Sequence, residues 1–465
     1  MTKSVTRRTL LGGMAAGVAA TAGLSGTADA LTTENRDAAA LTAKSRTARA
    51  ISPEPYVAFP TAPGGGPAGS DQVHTLQIGD PAADTVLILI GGQFGAANDF
   101  RLLARDLVEA VPGVQVWALD RREENLADHT GFTTPDPLTY YLDGHYRTQD
   151  QASSGYMANW GLPQTLSDLR TVVRAASCDG RRKVILGGHS WGATTAAAYA
   201  AWDFDGHPGY RDLAGLAFLD GGVLGAFDGG GDPFDNSPET VKKRLAAIAD
   251  GAVFDMSLAA VGVGTRSEST QIWYQLAGWY ARLDPHAKSV LQPRLPDGLR
   301  PSTPVTNAAL LGLLVDQSFG WPNDISVHSG TISPTGDWTD TGITPISRVA
   351  TAYAGPEPTV WQWYWPARLT ADLTAVDLYA DTDVTRSLGL RLHHTTAIDT
   401  PLYTFQTSAY KGTAVQSAQK LATQSRVPFT SFATDTTMNH LDPLFAQTSK
   451  NTATQSLAAF VRRLI

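Results

Sequence analysis

The chain has 465 residues, 43% hydrophobic and 17% charged, which supplies a sizeable packed core and excludes a wholly disordered chain. A formal net charge of −8 argues against nucleic-acid binding, which wants a basic face. A single cysteine, Cys178, excludes an intrachain disulfide, and no apolar run is long enough to span a bilayer.

Residues 1–30 read as an export signal. Lys3, Arg7 and Arg8 form a basic head, Leu10 to Gly23 a small-residue apolar stretch, and Ala28-Asp29-Ala30 a cleavage site. Thr6-Arg7-Arg8-Thr9-Leu10-Leu11 resembles the bacterial twin-arginine signal, so a secreted or extracytoplasmic destination by that route is expected. Residues 31–71, rich in Ala, Thr, Pro and Gly, predict a mature N-terminal segment with little regular structure.

Organisation begins at about Gln72. Short, mostly apolar runs lie at Thr85–Ile90, Val114–Asp120, Lys183–Gly188, Leu213–Leu219, Pro401–Thr407 and Phe429–Ala433. Their β-branched and aromatic content suits central parallel strands covered on both faces. Helical patterns lie between them, at Asp99–Val111, Leu166–Ala176, Trp191–Trp202, Ala414–Thr423 and Asn451–Leu464. Cys178 falls at the end of one such pattern and reads as structural. The alternation predicts an α/β fold, a mostly parallel central sheet flanked by helices.

The alternation breaks from about Gly222 to Ala397, far longer than a connection should be. Residues 223–397 are therefore expected to be an inserted, mainly helical cap between two parts of the core, 72–222 and 398–465. Helical patterns occur at Ser237–Ala249, opened by Ser-Pro, at Gln271–Leu283 and at Asn307–Val315. Seven of the eleven tryptophans fall in this segment. Trp273, Tyr274, Trp279 and Tyr280 share a helical pattern, while Trp361, Trp363 and Trp365 recur at strand-like spacing. They suit either cap core packing or the wall of an acyl or aromatic site.

The sharpest motif is Gly188-His189-Ser190-Trp191-Gly192, a G-x-S-x-G string with an apolar strand running in and an Ala-rich helix running out. That is the setting of a nucleophile elbow, where a tight turn projects the serine hydroxyl over the carboxyl end of a sheet. In this setting the sequence resembles the α/β-hydrolase family, over about 72–222 and 398–465. The resemblance implies a serine, acid and histidine in that chain order and an oxyanion hole of backbone amides. By resemblance, His440 stands where the family places its base, after a late strand and before the final helix. Imidazole can take and return a proton near neutral pH. The commonest position for the acid, the loop after Pro401–Thr407, holds no Asp or Glu, and none occurs from Pro401 to Thr434. The alternative position, the end of the preceding strand, offers Asp220. Asp435 and Asp442 lie close to His440 in sequence but would need unusual geometry, and the His189 side chain should point away from that of Ser190. The amides fall to Trp191 and, from Gly91-Gly92-Gln93-Phe94-Gly95, to Gln93, with Phe94 as alternative.

No cofactor is implied. His393-His394 lacks companions at metal-ligand spacing. The expected activity is that of an exported serine hydrolase cleaving a small-molecule carboxylic ester that carries an apolar group. It would proceed through an acyl-enzyme, without nucleic acid and without an integral membrane segment once the signal is removed. A peptidase or amidase of the same fold, and a non-catalytic ligand-binding protein that kept the fold, are the alternatives.

Overall fold

The computed structural model describes residues 54–318, 326–355 and 359–465. The expected export signal, residues 1–30, lies outside the described residues, as does 31–53. The central sheet has eight strands: β1 Tyr56–Pro60, β2 Gln72–Gly79, β3 Thr85–Ile90, β4 Val114–Asp120, β5 Lys183–His189, β6 Gly215–Leu219, β7 Leu402–Gln406 and β8 Thr430–Thr434. Their spatial order is β1-β2-β4-β3-β5-β6-β7-β8. β1 pairs antiparallel with β2, and β2 with β4; every pairing from β4 to β8 is parallel. The sheet therefore begins at Tyr56, earlier than expected. β1 and the alternating β2 form its antiparallel edge, and the half-buried pattern of β1 explains why composition alone hid it.

Side chains alternate across the parallel strands, and two cores result. Leu87, Leu89, Ile185, Ala217, Leu219, Tyr403 and Phe405 face one core. Val86, Ile88, Ile90, Val184, Leu186, Leu216, Phe218 and Leu402 face the other. Helices α1 (Arg101–Ala110) and α10 (Thr452–Leu464) cover the first face; α2 (Leu162–Ser177), α3 (Trp191–Ala201) and α9 (Thr413–Gln424) cover the second. Cys178 ends α2 in a left-handed conformation, φ 49°.

Residues 223–397 contribute α4 (Pro238–Ala249), α5 (Ser269–Leu283), α6 (Asn307–Val315), α7 (Ile346–Tyr353), α8 (Ala367–Val376) and a small hairpin, Gly330–Ile332 with Trp338–Asp340. Ser237 caps α4 and Thr306 caps α6, each accepting a bond from the N–H three residues on. This segment is continuous with both cores. Its Trp273, Tyr274, Tyr353 and Trp363 join the first, and Trp365, Leu369, Leu373 and Tyr379 join the second. Trp363 and Trp365 are fully buried, so they serve as packing and do not line an open wall. No helix among the described residues is long and apolar enough to cross a membrane.

Candidate active site

Strand β5 runs straight into α3, and Ser190 is the single residue between them. It sits at φ 55° and ψ −126°, a conformation that L residues rarely adopt and that aims the side chain out of the turn. The turn closes only because glycines flank it. A Cβ on Gly188 would stand 2.3 Å from the Gly192 carbonyl carbon, and one on Gly192 would stand 1.9 Å from the Ile90 carbonyl oxygen. Ser190 N–H donates to Leu219 O at 2.9 Å, which ties the elbow to the end of β6.

Asp220 follows β6 and is fully buried, at φ 48°. Three donors converge on its carboxylate: Thr407 N–H to Oδ1 at 2.7 Å, Thr407 Oγ1 to Oδ2 at 2.5 Å, and His440 Nδ1 to Oδ2 at 2.7 Å. The structure thus brings His440 to Asp220. Asp435 is engaged by Thr437 and Thr452, and Asp442 by Thr344, Asn439 and His328. With Nδ1–H directed at Asp220, His440 leaves its Nε2 lone pair as the basic site. The His440 ring lies 4.2 Å, centroid to centroid, from that of His189 and 5.3 Å from that of Tyr410, which it meets nearly at right angles.

The loop after β3 borders the serine. A Cβ on Gly92 would stand 3.3 Å from Ser190 Oγ. Gly95 N–H donates to Gly92 O at 3.1 Å, closing a turn in which Phe94 takes φ 58°. The Gln93 and Phe94 N–H groups have no hydrogen-bond partner among the described residues, nor has that of Trp191 at the start of α3. Both Gln93 and Phe94 therefore stay available as candidate second donor beside Trp191, in a loop next to Ser190.

Segment 223–397 holds this loop in place. Gln362 N–H donates to Phe94 O at 2.8 Å, Ala96 N–H to Val360 O at 3.1 Å, and Asn98 N–H to Thr359 O at 3.0 Å. The Gln93 side chain reaches Asp255 Oδ2 at 2.9 Å. Beneath the loop, the buried guanidinium of Arg121 donates to Gly91 O at 2.7 Å and Gln362 Oε1 at 3.0 Å, and lies 4.7 Å over the Trp365 ring. Burial lowers Arg121 to about 10, which leaves it charged at neutral pH.

Sequence reasoning missed Arg121, Gln362, Asp255 and Thr407. Arg121 alone left a signal, a charged residue at the carboxyl end of an apolar strand, where α/β sheets carry their sites. Of the other histidines considered, His394 pairs with Asp203 at 3.0 Å. Among the described residues no group of three or more His, Cys, Asp or Glu could hold a metal ion.

No family model matches the chain, and no curated protein does. Solved structures are similar at low identity. A Sulfolobus solfataricus protein described provisionally as a lipase is 15% identical, with TM-score 0.47, covering 87% of this chain and 93% of its own. An epoxide hydrolase from an endophytic Streptomyces is 15% identical, with TM-score 0.41, covering 88% and 96%. A thermophilic esterase from Thermogutta terrifontis is 13% identical, with TM-score 0.37, covering 88% and 99%. The assignment rests on this chain's own geometry: a mostly parallel eight-stranded sheet with an antiparallel edge, and a strained serine between β5 and α3. By that geometry the chain has the α/β-hydrolase fold.

Proposed function

We propose that the protein is an exported serine hydrolase that cleaves carboxylic esters through an acyl-enzyme. The observation that carries this reading is the 2.7 Å contact of His440 Nδ1 with buried Asp220, beside the elbow that presents Ser190. In this reading Ser190 Oγ attacks the ester carbonyl carbon and its proton passes to His440 Nε2. The Trp191 and Gln93 N–H groups receive the oxyanion, and the alkoxide leaves with the proton from His440. Water then attacks the acyl-enzyme by the reverse proton path. The basic head, apolar stretch and Ala28-Asp29-Ala30 site support export by the twin-arginine route.

The test is fluorophosphonate labelling of the protein recovered from culture medium, beside Ser190→Ala. Wild type is expected to label, to begin at Leu31 by mass, and to hydrolyse p-nitrophenyl esters; the variant is expected to do neither chemistry. A folded wild type that does not label would defeat the hydrolase reading. A secreted chain that still carries residues 1–30 would defeat the cleavage reading.

A further inference from the structure

We propose that His189 is a positioning residue for His440: a neutral Nε2–H donor that holds the main-chain carbonyl of the base and leaves His440 as the one ring of the pair to take a proton. The inference rests on the proposed roles of Ser190, His440 and Asp220. It starts from the last residue of β5, which precedes the nucleophile and is 3% exposed. His189 Nε2 lies 2.8 Å from His440 O. A carbonyl oxygen only accepts, so the proton sits on Nε2 and the tautomer of His189 is fixed. The strand that delivers the serine therefore also grips the base, across 251 residues of sequence.

His440 needs such a hold because it sits in an irregular stretch after β8. Its neighbours are tied outward, Asn439 N–H to Asp442 at 2.7 Å and Asn439 Nδ2 to Gln317 at 2.7 Å, while the His189 contact reaches it from the elbow. A displacement of about 1 Å in a catalytic group can cost on the order of 10²-fold in rate.

His440 faces Asp220 and the rings of Tyr410 and His189. The titratable group facing His189 is His440. Burial, then the nearness of His440, hold His189 well below the usual imidazole range. Two imidazolium rings 4.2 Å apart in a buried site would repel strongly. A neighbour that stays neutral lets His440 charge in each turnover without that opposition. His189 donates to the carbonyl throughout and takes no part in proton transfer.

The test uses the mature protein, with His189→Gln, which keeps a donor, and His189→Leu, which removes it. Fluorophosphonate labelling is timed per titrated site, and ¹⁵N-histidine spectra are recorded from about pH 5 to pH 8. His189→Leu is expected to label about 10- to 100-fold more slowly, and His189→Gln within about threefold of wild type. In wild type the His189 ring should stay neutral and protonated at Nε2. Equal rates in wild type and His189→Leu would overturn the proposal, as would equal losses in both variants. A His189 ring that titrates across this range, or carries its proton on Nδ1, would also overturn it. If His189→Leu does not fold, the His189→Gln rate and the spectra decide. A wild type that never labels defeats the hydrolase reading instead, while the spectra still report the tautomer.

Discussion

Asp220 is held more completely than any role in a turn requires. It is fully buried, sits in the left-handed region, and has three donors on two oxygens. An asparagine would fit the space, but with its carbonyl kept on Thr407 N–H its amide nitrogen would face both Thr407 Oγ1 and His440 Nδ1. It would favour the His440 tautomer with the proton on Nε2, which cannot act as a base. Asp220→Asn is therefore expected to lower kcat by about 10⁴, with the far-ultraviolet spectrum unchanged. Turnover within tenfold of wild type would remove Asp220 from the proposed triad. At the level of residues, the placement was legible: G-x-S-x-G between strand and helix pointed to Ser190 as candidate nucleophile, and the carboxylate-free run from Pro401 to Thr434 offered Asp220 as candidate acid, which the structure brings to His440. Thr407 was not legible, because nothing in a threonine after a strand says which carboxylate it meets 187 residues away.

Among the elements, the loop after β3 was found by resemblance, but what shapes it was hidden. Its backbone is paired with Thr359, Val360 and Gln362, and its underside with Arg121. Strands and helices announce themselves by apolar runs and periodicity, whereas a pairing across some 260 residues leaves no local pattern. The spacing of Trp361, Trp363 and Trp365 did signal an extended strip, and Trp361 makes a one-residue bridge to Gly95. Residues 359–362 are therefore a template for the proposed oxyanion loop, and removing the segment that carries them would release that loop. Arg121→Met keeps the stem but withdraws the bonds to Gly91 and Gln362. Leaving a buried carbonyl unpaired costs about 1–3 kcal/mol of stability. The larger expected effect is on chemistry: a loosened donor loop should lower kcat by about 10²-fold with KM little changed. Arg121→Lys, with charge but no fork, should fall between. A rise in KM with kcat intact would mean that the loop binds substrate without serving the oxyanion.

In the whole molecule, residues 223–397, expected from the break in alternation to be an inserted cap, share both hydrophobic clusters with the sheet and its helices. The same integration buries ionisable groups between the layers. Glu123, in the turn after β4, is 2% exposed, and its Oε2 has no partner among the described residues. Burial raises its carboxyl from 4.5 to about 7, although Arg121 nearby opposes the shift. The folded chain therefore binds this proton more tightly than the unfolded chain. Below about pH 4.5 both forms hold it and Glu123 contributes nothing to pH dependence. As pH rises from there to about 7 the unfolded chain alone has released it, so stability falls; above that the loss is complete. A shift of this size corresponds to roughly 3 kcal/mol. Glu123→Gln keeps the volume and removes the titration. Its urea midpoint should lie above that of wild type at pH 8, and the gap should close as pH is lowered toward 4.5. A gap that stays constant across that range would show that Glu123 keeps its ordinary affinity for a proton, and that its burial is offset by Arg121 after all.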